Sequence, residues 1–506
     1  MILRDPFVRR HLFVCLAITI ITAIGSSAYF HIDEHFQILE PVFFKLGKTP
    51  AWTLPFELKV EMRPWLQPGF YFVIAKGLEP LGVTSEMALA TAFRLVTGVM
   101  SVAALAAFVE TALPWFEGPA RKVFVRLATM LGFLPYLFVR TSSETASMIA
   151  FTLAFSFALR GARKAERWTL ALSHRSAVVT GLLLGIAFEA RYQTAFLALG
   201  LVGWLAIVGR APLAKLARIV AGGLVAVGAC VLVDRWGYGA VRFPAFTYFQ
   251  TNVIDGVAEM FGAEPPFAYL WLLPANVFFP VVVVVIVLVV VSFVRDIRHP
   301  VTWSLLPFVL VHNLLAHKEE RFLFPIAILM TASMTIAIDP AGRPLGIARW
   351  LWARRGGVAS KVLGAWSLAM MTLLAVWPLG WHHHVRFTQH VRETLGDELH
   401  AHAFLDYDLG LPAYHPRVYD IQKVSPEELG RRVQDGRDRK PFLVVDDPRW
   451  RSEIPILEFS TLVWSEVPFE GTPVADPILR ATEAYNGVAK PPLRKITYRA
   501  IYALPP

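Results

Sequence analysis

Residues 299–338 read HPVTWSLLPFVLVHNLLAHKEERFLFPIAILMTASMTIAI, two apolar runs parted by His317-Lys318-Glu319-Glu320-Arg321. The runs at 299–316 and 321–338 are each long enough to approach a hydrocarbon core of about 30 Å. Five consecutive ionisable side chains between them are costly near lipid, and such groups by default mark a functional site facing protein interior or a water-filled cavity. The competing reading is a short solvated turn between two membrane helices. The remainder of the chain decides between them.

Runs of the same kind recur at 11–30, 86–112, 122–139, 143–160, 175–190, 193–209, 214–234, 268–294 and 360–380. They give a polytopic membrane protein of about eleven spans, with boundaries good to a few residues. The composition agrees: 55% of the 506 residues are hydrophobic and 17% charged, with a mean hydropathy of +0.49. Cys15 and Cys230 both fall inside apolar runs, which argues for packing and against a disulfide framework. The net charge of +10 could suggest nucleic acid, but the Lys and Arg residues lie mainly in short loops beside apolar runs and read as topology signals. Ser26-Ser27-Ala28 resembles a signal-peptidase site; the many later spans favour an uncleaved first helix.

With a cytoplasmic N-terminus, the loops holding Arg121 and Lys122, Arg160 to Arg175, Arg210 to Arg218, Arg295 and Arg298, and Arg343 to Lys361 all fall inside. The same parity gathers the unusual polar clusters on the outer face: His31 to His35, Arg140 to Glu144, Glu189 to Gln193, the loop 235–267, and His317 to Arg321. Independent loops would scatter over both faces, so the segregation argues for one extracytoplasmic active site. The stretch Pro68–Val83 is apolar, but a full span there would put every later basic loop outside. It is assigned with the rest of 31–85 to a large first outer loop, partly interfacial or re-entrant. Beyond a multispanning domain of residues 1–380, residues 381–506 turn polar. Pro441 to Val445 reads as a buried strand ended by a turn and Ser425-Pro426-Glu427 as a capped helix start, so this tail is expected to be a small extracytoplasmic α/β domain. His382-His383-His384 cannot all face one ion from a single helix and is read as interfacial; no metal site is expected.

Several groups suit chemistry at a membrane surface. Asp33 and Glu34 follow the first span directly and, being adjacent, must point apart, so one can act as a general base while the other binds or orients. A hydrated loop pair is the bland alternative. His317, Lys318 and Arg321 supply cations within one turn, Arg as a planar fork for phosphate oxygens and Lys as a point charge. Glu319 and Glu320 would orient those cations or bond sugar hydroxyls, and Arg140 and Arg191 lie on the same face, where each is otherwise a snorkelling interfacial Arg. The aromatic residues of the outer loops could stack on sugars, but an interfacial belt accounts for most of them.

His317-Lys318-Glu319-Glu320-Arg321-Phe322 with Pro325 resembles the HKExRF signature of glycosyltransferase family 22, the mannosyltransferases of GPI-anchor and lipid-linked oligosaccharide assembly. Asp33-Glu34-His35-Phe36-Gln37 is similar to that family's acidic motif after the first helix, Met62-Arg63-Pro64-Trp65-Leu66-Gln67-Pro68 to its Arg-Ser…Pro segment, and Arg191 to its Arg-Pro-Thr element. Asp234, Tyr238-Gly239, Phe243-Pro244, Asn252, Gly256 and Gly262 resemble its long Asp…Tyr-Gly…Asn…Gly loop. The chain departs from the pattern at Ile32, Pro64 and Tyr192-Gln193.

The resemblance implies an all-α GT-C membrane fold and a transferase taking sugar, typically mannose with inversion, from a polyprenyl-phosphate donor with no obligatory cofactor. It implies Asp33 as catalytic base with Glu34 as second choice, and His317, Lys318, Arg321 and Arg191 at the donor phosphate. His35, Arg63, Arg140, Asp234, Tyr238, Glu319 and Glu320 would bind or orient substrate. The partners expected are membrane lipid, the lipid-linked sugar donor and a glycan or glycolipid acceptor, and no nucleic acid. The Ala- and Arg-rich text points to a bacterial inner membrane with a periplasmic site; a eukaryotic member would place the same face in the ER lumen. A transporter or flippase of a lipid-linked sugar is the rival, but it calls for inverted repeats and midplane sites on broken helices, and the sequence shows neither.

Overall fold

A computed structural model describes residues 5–26, 29–164, 168–276, 280–339 and 358–376, with Val385 and five short strands beyond. The histidine run 382–384, the helix start at Ser425 and the basic residues 343–355 lie outside the described residues. The described chain divides into two compact units. One takes residues 1–26, 33–42 and 54–378; the other takes 27–32, 43–53 and 379–506.

The first unit is helical, and its helices start where capping chemistry allows. Asp5 caps α1 (Pro6–Gly25) by accepting from the Phe7 amide, with Pro6 in the first turn, where a missing N–H costs nothing. Ser85, Ser142 and Ser173 cap α5 (Glu86–Ala112), α8 (Ser143–Leu159) and α9 (His174–Ala190) in the same way. Between α1 and α5 the chain forms α2 (Glu40–Lys45), α3 (Phe56–Lys59) and α4 (Leu66–Leu78). The apolar stretch from Pro68 lies in α4, which at 13 residues is about 20 Å long.

Among the described residues, four helical stretches are long and apolar enough to cross a membrane: Pro6–Gly25, Glu86–Trp115, Leu213–Tyr238 and Glu320–Ile338. Shorter apolar helices occupy 143–159, 192–207, 281–295, 300–314 and 361–375. The chain is an integral membrane protein. Two runs read as single spans are broken. The run 122–139 becomes α6 (Gly118–Met130) and α7 (Leu134–Phe138). At the break, the Ser367 hydroxyl accepts from the Gly132 amide at 2.8 Å and donates to the Met130 carbonyl at 3.1 Å. A neighbouring helix thus satisfies the freed backbone groups, which lipid cannot.

The order continues through α10 (Ala195–Ile207), α11 (Leu213–Tyr238) and α12 (Pro244–Phe249). The second broken run, 268–294, becomes α13 (Tyr269–Asn276), which contains Pro274, and α14 (Val281–Arg295). Then come α15 (Pro300–Leu314), α16 (Ala327–Ile338) and α17 (Val358–Val376). Helices α9 and α11 pack backbone to backbone: a methyl at Gly181 would meet the Ile219 carbonyl, and one at Gly222 the Val178 carbonyl at 2.7 Å. Small residues permit this close approach where lipid offers no hydrophobic drive. Hydroxyls inside the bundle bond back to their own helices, as Thr19 to Cys15, Thr97 to Phe93 and Thr335 to Thr331. Cys15 and Cys230 are buried free thiols.

A short hairpin pairs β1 (Arg163–Lys164) with β2 (Trp168–Thr169). In the second unit, β3 (Ala403–Phe404), β4 (Gln422–Lys423), β5 (Phe442–Val445), β6 (Thr461–Ser465) and β7 (Ala500–Ala503) form a sheet ordered β4-β3-β5-β7-β6. In it β3 runs parallel to β4 and β5, while β7 is antiparallel to β5 and β6.

Candidate active site

Asp33 caps a π-helical turn, Glu34–Leu39, and the two adjacent acids diverge as their spacing demands. The Asp33 carboxylate lies 2.7 Å from the Arg321 guanidinium and keeps 23% of its side chain exposed. Glu34 is 3% exposed and accepts from the Thr141 amide at 3.1 Å. His35 turns inward beside the equally buried Glu40, 3.3 Å away.

Arg321 opens a 3-10 turn, Glu320–Ile326, that contains Pro325 and follows an extended Glu319. Proline has no N–H to give and clashes in a helix interior, so the regular helix begins only at Ala327. That irregular entry carries Arg321, and its guanidinium meets three carboxylates: Asp33, Glu319 through Nε, and Glu144 at 3.6 Å. Glu144, in the first turn of α8, also holds Arg191 at 2.7 Å. Arg191 follows α9 in an extended conformation. The Arg191 and Arg321 guanidiniums lie 4.7 and 5.4 Å from the Phe322 ring centre. Two cations thus share one carboxylate and one aromatic ring.

The neighbouring loop is stitched to this cluster. His317 bonds the Glu319 carboxylate at 2.8 Å through Nε2 and the Gly262 carbonyl at 3.1 Å through Nδ1. The Glu319 carboxylate holds the imidazole above its ordinary titration range against the opposing effect of burial. Tyr269 donates to the Glu319 carbonyl at 3.1 Å. The Lys318 ammonium donates to the backbone carbonyls of Glu264 and Leu315. Glu319 therefore orients His317 and Arg321, whereas Lys318 ties down the end of the second outer loop. Glu320 is half-buried. Among the described residues, no group of three or more His, Cys, Asp or Glu is placed to hold a metal ion.

Arg63, Asp234 and Tyr238 meet in an adjoining cluster. Asp234 accepts from the Trp65 amide at 2.7 Å, and the Tyr238 hydroxyl donates to the Arg63 carbonyl at 2.5 Å. Gly237 lies under the Trp65 ring, where any Cβ would collide with it. The Arg63 guanidinium bonds Glu57 at 2.6 Å, and Gln37 donates to the same carboxylate at 2.7 Å. Burial works against the Arg63 charge, but Glu57, Tyr248 and Asp33 outweigh it and hold the guanidinium protonated. Arg140 lies deeper, fully buried, donating to the Tyr136 carbonyl and the Ser26 hydroxyl and stacked 4.3 Å from the Tyr136 ring centre.

The structure thus brings Asp33, Arg191, His317, Glu319 and Arg321 into one cluster and sets Arg63, Asp234 and Tyr238 beside it. Glu34, His35 and Arg140 are buried behind. Sequence reasoning missed Glu144 and Glu57. Glu144 carried a signal, since it belongs to a polar cluster assigned to the outer face, but its neighbour Arg140 drew the attention. Glu57 carried none.

The Alg9-like mannosyltransferase family model matches residues 11–402. GPI mannosyltransferase 3 of Yarrowia lipolytica is 23% identical over 374 residues, 72% of this chain and 66% of that protein. A probable Dol-P-Man:Man(7)GlcNAc(2)-PP-Dol alpha-1,6-mannosyltransferase of Schizosaccharomyces pombe is 29% identical over 143 residues, 28% of this chain and 26% of that one. The chain therefore spans less than two thirds of the length of these curated relatives. Among solved structures, ArnT of Cupriavidus metallidurans bound to undecaprenyl phosphate aligns with a TM-score of 0.56 at 14% identity, covering 98% of this chain and 97% of ArnT. Its apo state aligns with a TM-score of 0.51 over the same shares. Both likenesses speak for the GT-C fold. With the family model spanning most of the sequence, this membrane chain belongs to the Alg9-like mannosyltransferase family.

Proposed function

We propose that the chain is an inverting mannosyltransferase, moving mannose from a polyprenyl-phosphate donor to a hydroxyl of a glycan or glycolipid acceptor at the extracytoplasmic face of a bacterial inner membrane. The observation that carries this reading is the 2.7 Å pair between Asp33 and Arg321, which joins an acid following the first helix to the charged stretch far along the chain. Relatives named for Dol-P-Man and GPI mannosyl transfer, and a fold shared with a protein crystallised on undecaprenyl phosphate, support the donor class. The second unit would then be a small extracytoplasmic α/β domain.

The proposed chemistry is a single displacement. An acceptor oxygen attacks the anomeric carbon, the bond from that carbon to the phosphate oxygen breaks, and polyprenyl phosphate leaves. Asp33 takes the acceptor proton as general base. Arg321 and Arg191 offer planar forks to the departing phosphate, whose growing charge they stabilise. Arg321 holds Asp33; a donor phosphate would compete for that guanidinium and free the carboxylate for the acceptor. The polar groups sit at helix ends, after α1 and α9 and before α8 and α16, which favours an enzyme over a transporter with a site at the membrane midplane.

The test is transfer from purified polyprenyl-phosphate mannose by full-length protein in nanodiscs. Asp33→Asn should lose about 10²- to 10⁴-fold in rate while melting normally. Undiminished transfer by a folded Asp33→Ala protein would refute the mechanism.

A further inference from the structure

The Arg321 cluster is matched charge for charge, but a second outer cluster is not. Glu189, in the last turn of α9, is 4% exposed and its carboxylate has no hydrogen-bond or ion-pair partner among the described residues. The Tyr192 hydroxyl is fully buried and also makes no hydrogen bond. Tyr192 lies within electrostatic reach of Glu189, of Asp234 on α11 and of Arg63, and Glu189 within reach of Asp234. Asp234 is itself an acid and accepts from the Trp65 amide, and Arg63 is held by Glu57, so neither serves as a partner for Glu189. Buried polar groups are ordinarily satisfied, and an ionisable group left without a partner at a helix end is one whose partner arrives with a ligand. Arg63 lies within electrostatic reach of both Asp33 and Tyr192, which links this cluster to the proposed base.

We infer that Glu189 and Tyr192 form the acceptor subsite and bind ring hydroxyls of a saccharide. A carboxylate is an acceptor-only group with two oxygens that suits a neighbouring pair of O–H donors, and the tyrosine hydroxyl can donate to or accept from a third oxygen. The edge-on Tyr192 and Tyr248 rings, 5.2 Å apart and linked through the 2.7 Å bond from Gln193 to the Tyr248 hydroxyl, form the adjoining wall. Glu189 selects for hydroxyls at this position: an acceptor lacking them leaves the carboxylate buried and unpaired, which is how a polar pocket rejects a deoxy analogue.

This inference rests on the transferase reading, and the experiment separates their failures. Full-length protein in nanodiscs is given purified polyprenyl-phosphate mannose, with a lipid extract from cells lacking this chain as the source of accumulated acceptor. Glu189→Gln and Tyr192→Phe should each raise the half-saturating amount of extract about tenfold or more. The donor concentration for half-maximal rate, and the slow release of mannose to water, should stay within about twofold. Glu189→Asp, which keeps the carboxylate, should recover part of the loss. If wild-type protein is active and extract saturation is unmoved in folded Glu189→Gln and Tyr192→Phe proteins, the subsite is wrong. A shift in donor saturation equal to that in the extract also overturns it, since the residues would then act on the whole pocket. Wild-type protein that transfers nothing from this donor refutes the transferase reading itself, and the subsite falls with it.

Discussion

Two polar clusters of this chain balance charge in opposite ways. Around Arg321, Asp33, Glu144 and Glu319 are all engaged, and Arg191 is tied to Glu144. Around Glu189 the carboxylate stands alone while Asp234 and Arg63 are occupied elsewhere. The contrast follows from what each cluster would receive. A phosphate brings its own negative charge, so its site must hold cations, and in its absence those cations need internal carboxylates. A sugar hydroxyl brings donors without net charge, so its site can wait with an acceptor left open.

That contrast breaks most visibly at Arg321. Arg321→Gln should leave Asp33, Glu144 and Glu319 without their common cation. Losing one partner of a buried network typically costs about 3–5 kcal/mol, and transfer should fall by about 10²- to 10³-fold. Thermal unfolding in detergent and steady-state kinetics with polyprenyl-phosphate mannose measure the two effects. Arg321→Lys should recover stability better than rate, because a point charge cannot reproduce the fork.

Glu144 sharpens the comparison, since it touches both arginines and neither reacting group in the proposed chemistry. Glu144→Gln keeps the shape and removes the shared charge. It should weaken donor saturation by roughly tenfold, within the range of a positioning defect, and leave extract saturation alone. An effect on the extract larger than that on the donor would merge the two clusters into one.

The smallest expected effect is at His317. Its imidazole binds a proton more tightly in the folded protein than in the unfolded chain. Its contribution to stability is therefore fully present below the ordinary imidazole value and fades as pH rises through the elevated folded value. The half-exposed setting limits this to under about 1 kcal/mol. Melting curves of wild-type and His317→Gln proteins should differ at mildly acidic pH and converge at alkaline pH, and a gap that widens with pH would contradict the assignment.

Much of the fold was legible because lipid imposes a simple rule. Backbone polar groups must be satisfied within the segment, so apolar runs such as 86–112 and 214–234 become helices. The breaks were not legible: Gly132 interrupts its run because Ser367, more than 200 residues later, stands ready to take its amide. The site was partly legible for a related reason. Asp33, Arg191 and the 317–321 stretch are charges where lipid disfavours them, and the family pattern names them. Glu57 and Glu144 look like ordinary loop acids until the arginines they serve come into place.

The sequence by itself determined the apolar helices and the family, because hydropathy and the HKEER stretch are local properties of the chain. Only the tertiary structure decided which charge meets which. It paired Asp33 with Arg321, sent Glu34 to the Thr141 amide and Lys318 to backbone carbonyls, and left Glu189 unmatched. Those outcomes depend on contacts between helices far apart in sequence, and an ion pair is a matter of ångströms that no local pattern records.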